Sequence, residues 1–102
     1  MLNMTQKYRL SRLAEKDLTG IWRYTLKAWS RKQANEYVSN LLKACDDIAK
    51  SPEVTGQPYE HVREGYRKYI CAHHVIFYKL EDDGIPLISR VLHEKMDFDR
   101  HL

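Results

Sequence analysis

Cysteine, proline and glycine are all scarce, at 2, 3 and 4 of 102 residues. Cys45 and Cys71 are too few and too far apart for a disulfide scaffold or a zinc cluster, so both are expected as buried thiols. No CxxC, HxH or HExxH spacing occurs, and neither a metal nor a cofactor is expected. No apolar run approaches the roughly 18 residues of a membrane span. The start, Met1-Leu2-Asn3-Met4-Thr5-Gln6-Lys7, lacks the apolar stretch of a signal peptide. A cytoplasmic protein with no membrane partner is therefore expected. Neither sign of charge dominates: 17 Lys and Arg stand against 14 Asp and Glu, a net charge of +3. Residues 61–102 hold 7 of each. No strongly basic surface and no direct sequence-specific contact with nucleic acid are expected.

What the chain does contain is apolar substance, 43% of residues, in a length suited to one domain over 1–102. Lys7-Tyr8-Arg9-Leu10 alternates as a short strand, and Ser11 suits a helix N-cap. Ala14, Leu18, Ile21, Trp22, Thr25 and Trp29 recur at helical spacing and predict a helix over Arg12–Trp29. Ser30-Arg31-Lys32-Gln33 reads as a capping box. Ala34, Tyr37, Val38, Leu41, Cys45, Ile48 and Ala49 then mark a second helix that ends by Ser51, ahead of Pro52. Residues 52–65 read as an irregular connection.

Beyond it the period changes to two. Tyr66–Ala72 and His74–Leu80 are strand candidates, Asp82-Asp83-Gly84 signals a hairpin turn, and Ile85–Leu92 returns as a third strand. Residues 94–102 form a polar tail with room for a short helix. The expected fold class is α+β: an N-terminal strand, a helical hairpin and three antiparallel strands in two layers. The sheet face away from the helices is expected to be uncovered.

Five histidines invite a catalytic reading. His73 and His74 are adjacent, so on a strand they would point to opposite faces. His93 sits at the end of the last strand among Arg90, Glu94, Lys95 and Asp97, where an imidazole could serve acid–base cleavage of RNA or simply be a solvated strand end. Trp22, Trp29 and Tyr37 lie on helical apolar faces, where they are core residues or anchors for a partner. Tyr66, Arg67 and Tyr69 could face solvent from a strand, and Arg63, Arg67 and Lys68 form a small basic cluster.

Three segments in order resemble a known family. They are Tyr8-Arg9-Leu10-Ser11 followed by Ala14, Asp17-Leu18 and Ile21-Trp22-Arg23-Tyr24; then Val62-Arg63-Glu64-Gly65-Tyr66-Arg67; then His74-Val75-Ile76-Phe77-Tyr78 with Arg90-Val91-Leu92-His93-Glu94-Lys95-Met96-Asp97. The series is similar to the ParE branch of the RelE/ParE superfamily of type II toxin–antitoxin toxins. That resemblance implies a helical hairpin against an antiparallel-rich sheet. It also implies a toxin that binds and inhibits DNA gyrase without a catalytic site, causing growth arrest and serving plasmid or chromosome stability. A ParD-like ribbon–helix–helix antitoxin would neutralise it in a hetero-oligomer.

The alternative within the superfamily is a RelE-like, ribosome-dependent mRNA endonuclease, whose site here would be His93, Arg90 and Arg67. It is disfavoured, because Val75 stands where RelE-like chains tend to carry Arg and the tail has no tyrosine. The resemblance places target binding on Arg90, His93, Glu94, Lys95, Met96, Asp97 and Arg100. It places antitoxin binding on Leu18, Trp22, Trp29, Tyr37, Leu41, Arg63 and Arg67, with Trp22 half exposed.

Overall fold

The computed structural model describes residues 7–102; the signal-peptide reading of Met1 to Gln6 lies outside them. β1 (Arg9–Leu10) ends at Ser11, whose Oγ accepts the Ala14 N–H at 2.9 Å and donates to the Ser89 carbonyl at 2.7 Å. One hydroxyl thus caps α1 (Arg12–Ala28) and fastens it to the sheet. Ser30 caps α2 (Arg31–Lys50) by accepting the Gln33 N–H at 3.1 Å. Among the described residues the return bond of the capping box, from the Gln33 side chain, is not formed.

The connection after α2 is more ordered than its composition suggests. It holds a single turn, α3 (Pro52–Thr55), and a two-residue strand, β2 (Gln57–Pro58). β2 pairs antiparallel with Lys68 and Arg67 of β3 (Tyr66–Cys71). Then come β4 (His74–Leu80), β5 (Pro86–His93) and α4 (Phe98–His101). The strands form one sheet in the order β1-β5-β4-β3-β2. β1 runs parallel to β5, and every other pairing is antiparallel. The expected α+β layering is present, with five strands where four were expected.

Register explains how β5 serves the core. Phe77 lies opposite Arg90 but Tyr78 opposite Ile88, so Ser89 is an extra, bulged residue. Strict alternation would put Ile88 and Val91 on opposite faces. The bulge lets both pack against the helices, in a cluster with Ala14, Leu18, Leu41, Cys45, Ile48, Ile76 and Tyr78. Burial of Cys45 pushes its thiol up to about 12. Cys71, expected buried, is only partly so, with Sγ 3.9 Å from the Asn40 carbonyl oxygen.

The second face of the sheet is not bare. Val75, Phe77 and Leu92 are buried there beneath Tyr59, Phe98 and Leu102. The tail supplies part of this cover because α4 is tied down from two sides. Tyr59 Oη donates to Asp99 at 2.8 Å, and the Arg90 guanidinium donates to the His101 carbonyl at 2.9 Å. Covering both faces is why four successive residues of β4, Val75 to Tyr78, are all buried.

Candidate functional site

A groove of about 540 Å³ runs between α1 and the His74–His93 end of the sheet. α1 contributes Lys16, Asp17, Gly20, Ile21 and Tyr24, its C-cap contributes Trp29, and α2 contributes Tyr37. Val91, Leu92, His93, Met96 and the adjacent His73 and His74 complete it. Its rim is apolar and open to solvent: Tyr24 is 72% exposed, Trp29 70% and Met96 38%. Trp29 is not a core residue because α1 stops at Ala28, leaving the indole on the cap beyond the packed face. Gly20 is unusual in another way. It sits in the middle of α1, where glycine costs roughly 1 kcal/mol relative to alanine, and a Cβ there would meet no atom within 4 Å. Packing does not require this glycine, and the groove it lines has room for a methyl group there.

Polar groups cluster at the sheet end of the groove. His73 lies in the turn between β3 and β4 rather than on a strand, beside Ala72 at φ 55°. Strand alternation therefore does not separate it from His74, and both line the groove. The His73 and His93 rings stack at 6.5 Å, and His74 meets His93 edge-on at 5.2 Å. Tyr37 Oη accepts the His73 N–H at 3.2 Å and lies 2.6 Å from His74 Nδ1. Its hydroxyl can donate to that nitrogen, and the His74 proton then sits on Nε2. Burial, and then the neighbouring imidazoles of His93 and His73, push the His74 pKa down to about 4. His93 Nδ1 accepts the Lys95 N–H at 3.1 Å, which also leaves its proton on Nε2. His73 Nδ1 and Glu94 are paired at 2.9 Å, and this contact holds the Glu94 carboxyl below its usual range.

Arg90 has a structural task. β1 pairs with β5 only at Leu87 and Ile88, so the β5 edge opens beyond them. Asp17 of α1 fills the gap, accepting the Val91 N–H at 2.9 Å and the Arg90 Nε and Nη2 protons at 2.8 and 2.9 Å. Both side chains are largely buried, and the Arg90 pKa rises because the Asp17 carboxylate holds its proton. Arg67 is equally committed: its guanidinium donates to Tyr78 Oη and to the Gly56 carbonyl. It pairs opposite Tyr78, four residues along β4 from His74 and so about 13 Å away.

The residues singled out from sequence are thereby regrouped. Arg90, Arg67 and His93 do not converge. Leu41 and Leu18 are core, 1% and 8% exposed, and are corrected as partner anchors. Trp22 is half-buried as expected, but its indole N–H donates to Asn35 Oδ1 at 2.9 Å, outside the groove. Arg63 is exposed and lies over the Tyr66 ring, toward the far end of the sheet. Lys95, Asp97 and Arg100 are exposed after β5, with Asp97 at the N-cap position of α4 but its side chain making no capping bond. The groove joins Trp29 and Tyr37 from one expected surface with His93 and Met96 from the other. Sequence spacing did not single out Gly20, Tyr24, His73 or His74 as site residues; a glycine in mid-helix was the one available signal.

Comparison with known proteins places these features. A family model described as "ParE toxin of type II toxin-antitoxin system, parDE" matches residues 8–98. Toxin ParE1 of Mycobacterium tuberculosis is 37% identical, over 97% of this chain and 100% of the relative. Toxin ParE1 of Caulobacter vibrioides is 42% identical over 93% and 96%, and Toxin ParE of Escherichia coli 33% identical over 88% and 86%. Among solved structures, a chain of the chromosomal ParDE TA system from P. aeruginosa superposes with a TM-score of 0.74, covering 87% of this chain and 98% of that one. The toxin–antitoxin complex RelBE2 of M. tuberculosis gives 0.54, covering 84% and 94%. At 16% and 22% identity these two speak for the fold alone.

Proposed function

The chain belongs to the ParE toxin family of type II toxin–antitoxin systems, and from that premise we propose that it arrests growth by binding DNA gyrase and is neutralised by a ParD-like antitoxin lodged in the α1–sheet groove. The observation that carries the binding mode is the groove's open apolar rim, with Tyr24 and Trp29 each about 70% exposed. Large aromatics left in water on a small domain mark a surface that is covered when it works. The filler is an amphipathic segment of the antitoxin, its apolar side chains set over Ile21, Val91 and Met96. Because the groove also contains His93, a bound antitoxin covers part of the surface assigned to the target. Neutralisation then follows from occlusion.

The separation of Arg67 from His93, and the capture of Arg90 by Asp17, favour gyrase binding over RNA cleavage. Cleavage calls for cations placed where phosphate charge develops, and these two are committed elsewhere. Two measurements test the reading. Purified gyrase should lose supercoiling activity in the presence of the chain while mRNA in a translation extract stays intact; cut mRNA with unaffected gyrase refutes the target. Trp29→Ala and Gly20→Gln, which truncate the rim and fill the groove, should each weaken antitoxin binding at least tenfold. Unchanged affinity in both refutes the groove.

A further inference from the structure

The groove contains two imidazole Nε2 atoms with no partner among the described residues. Lys95 N–H occupies Nδ1 of His93 and Tyr37 Oη can donate to Nδ1 of His74, so both imidazoles can present a proton on Nε2. Among the described residues neither Nε2 has a partner, and no polar side-chain atom is both buried and unsatisfied. These N–H groups therefore open on the groove that the two residues line. The nearby acids do not answer them. Asp17 is taken by Arg90 and the Val91 N–H, and Glu94 by His73. The other charged or titratable neighbours are Lys16 on α1, Tyr37 on α2 and His73 in the β3–β4 turn. An otherwise apolar groove thus ends in two imidazole donors with a lysine on its wall, and a partner that seats there must bring an acceptor.

We infer that the His74–His93 pair is a subsite for a carboxylate, an Asp or Glu side chain of the antitoxin segment that occupies the groove. The inference rests on the groove reading above and adds the chemistry of one anchor to it. A carboxylate is favoured over a neutral carbonyl because it serves both donors at once, and charge-assisted bonds are about twice as strong as neutral ones. It also couples binding to protons. A bound carboxylate stabilises the His74 imidazolium, whose Nδ1 proton Tyr37 Oη can accept, so the His74 pKa rises from about 4 and the complex holds more protons than its free partners. Affinity then increases as pH falls toward the free His74 value of about 4 and levels off once both states are protonated.

The test uses the full chain and its purified cognate antitoxin. Nitrogen-15 spectra of the free chain should show both imidazoles as Nε2–H tautomers. Calorimetry between about pH 7 and pH 5 should show net proton uptake and a severalfold gain in affinity on acidification. His93→Phe should weaken binding roughly tenfold or more. His93→Gln keeps a donor near the Nε2 position and should bind within a few-fold of the parent with the pH dependence retained. Affinity that ignores pH and His93→Phe, while Trp29→Ala still weakens it, overturns the carboxylate subsite and leaves the groove standing. Affinity that ignores Trp29→Ala and Gly20→Gln as well removes both.

Discussion

At the Tyr78 end of β4, one phenol hydroxyl makes three bonds: it donates to the Pro52 carbonyl at 2.7 Å and accepts from Gly56 N–H at 3.0 Å and Arg67 Nε at 3.3 Å. At the His74 end, the Nε2 atoms of two imidazoles meet no partner among the described residues. The same strand therefore begins in a site and ends in a joint. Where polar groups close on one another, they hold α3, β2 and β3 together and offer nothing to a partner. Where they are left open beside exposed aromatics, they offer both adhesion and direction. Charge alone does not tell the two ends apart, since the arginine lies at the closed end and the histidines at the open one.

The contrast can be broken most severely at Gly56. A Cβ there would lie 2.5 Å from the Lys68 carbonyl oxygen and 2.8 Å from Tyr78 Oη. Gly56→Ala should cost about 3 kcal/mol of unfolding free energy in a denaturant titration, with antitoxin affinity of the folded fraction unchanged. Tyr78→Phe leaves the Gly56 N–H and the Pro52 carbonyl without their buried partner, and should cost about 2 kcal/mol.

The open end responds to acid instead. The His74 pKa is pushed down to about 4, from the ordinary 6.5 that applies in the unfolded chain. The unfolded chain takes up this proton first, so stability is fully present above about pH 6.5, falls on acidification and levels off below about pH 4. His74 is half-exposed, so solvent screening limits the loss to about 1–2 kcal/mol. His74→Gln should flatten that part of a stability-against-pH profile. The smallest effect is a gain: Gly20→Ala should raise stability by roughly 1 kcal/mol. If it also leaves antitoxin affinity intact, the groove has width to spare at that point.

Much of this architecture was legible because it depends on local rules. Ser11 and Ser30 cap helices through hydroxyls that any sequence reader can place, and the apolar spacing from Ala14 to Trp29 named the packed face of α1 within a residue of its end. The ParE-like series of motifs carried the family. The errors have physical causes as local as the successes. Trp29 matched the helical period but falls on the cap, where periodicity no longer implies burial. His73 and His74 were separated by a strand rule that fails at a turn. β5 breaks the two-residue period because Ser89 bulges, and a bulge depends on the register of the partner strand. Residues 52–65 looked irregular because a two-residue strand has no period to detect.

The order of caps, apolar stripes and strand candidates determined by itself that this chain folds as a helical hairpin on a sheet. These signals lie within a few residues of one another, and short-range geometry is enough to express them. Only the tertiary structure decided which polar residues are spent inside the fold and which face outward. Arg90 meets Asp17 across 73 positions and Tyr37 meets His74 across 37, and a hydrogen bond depends on ångström distances that chain separation does not encode.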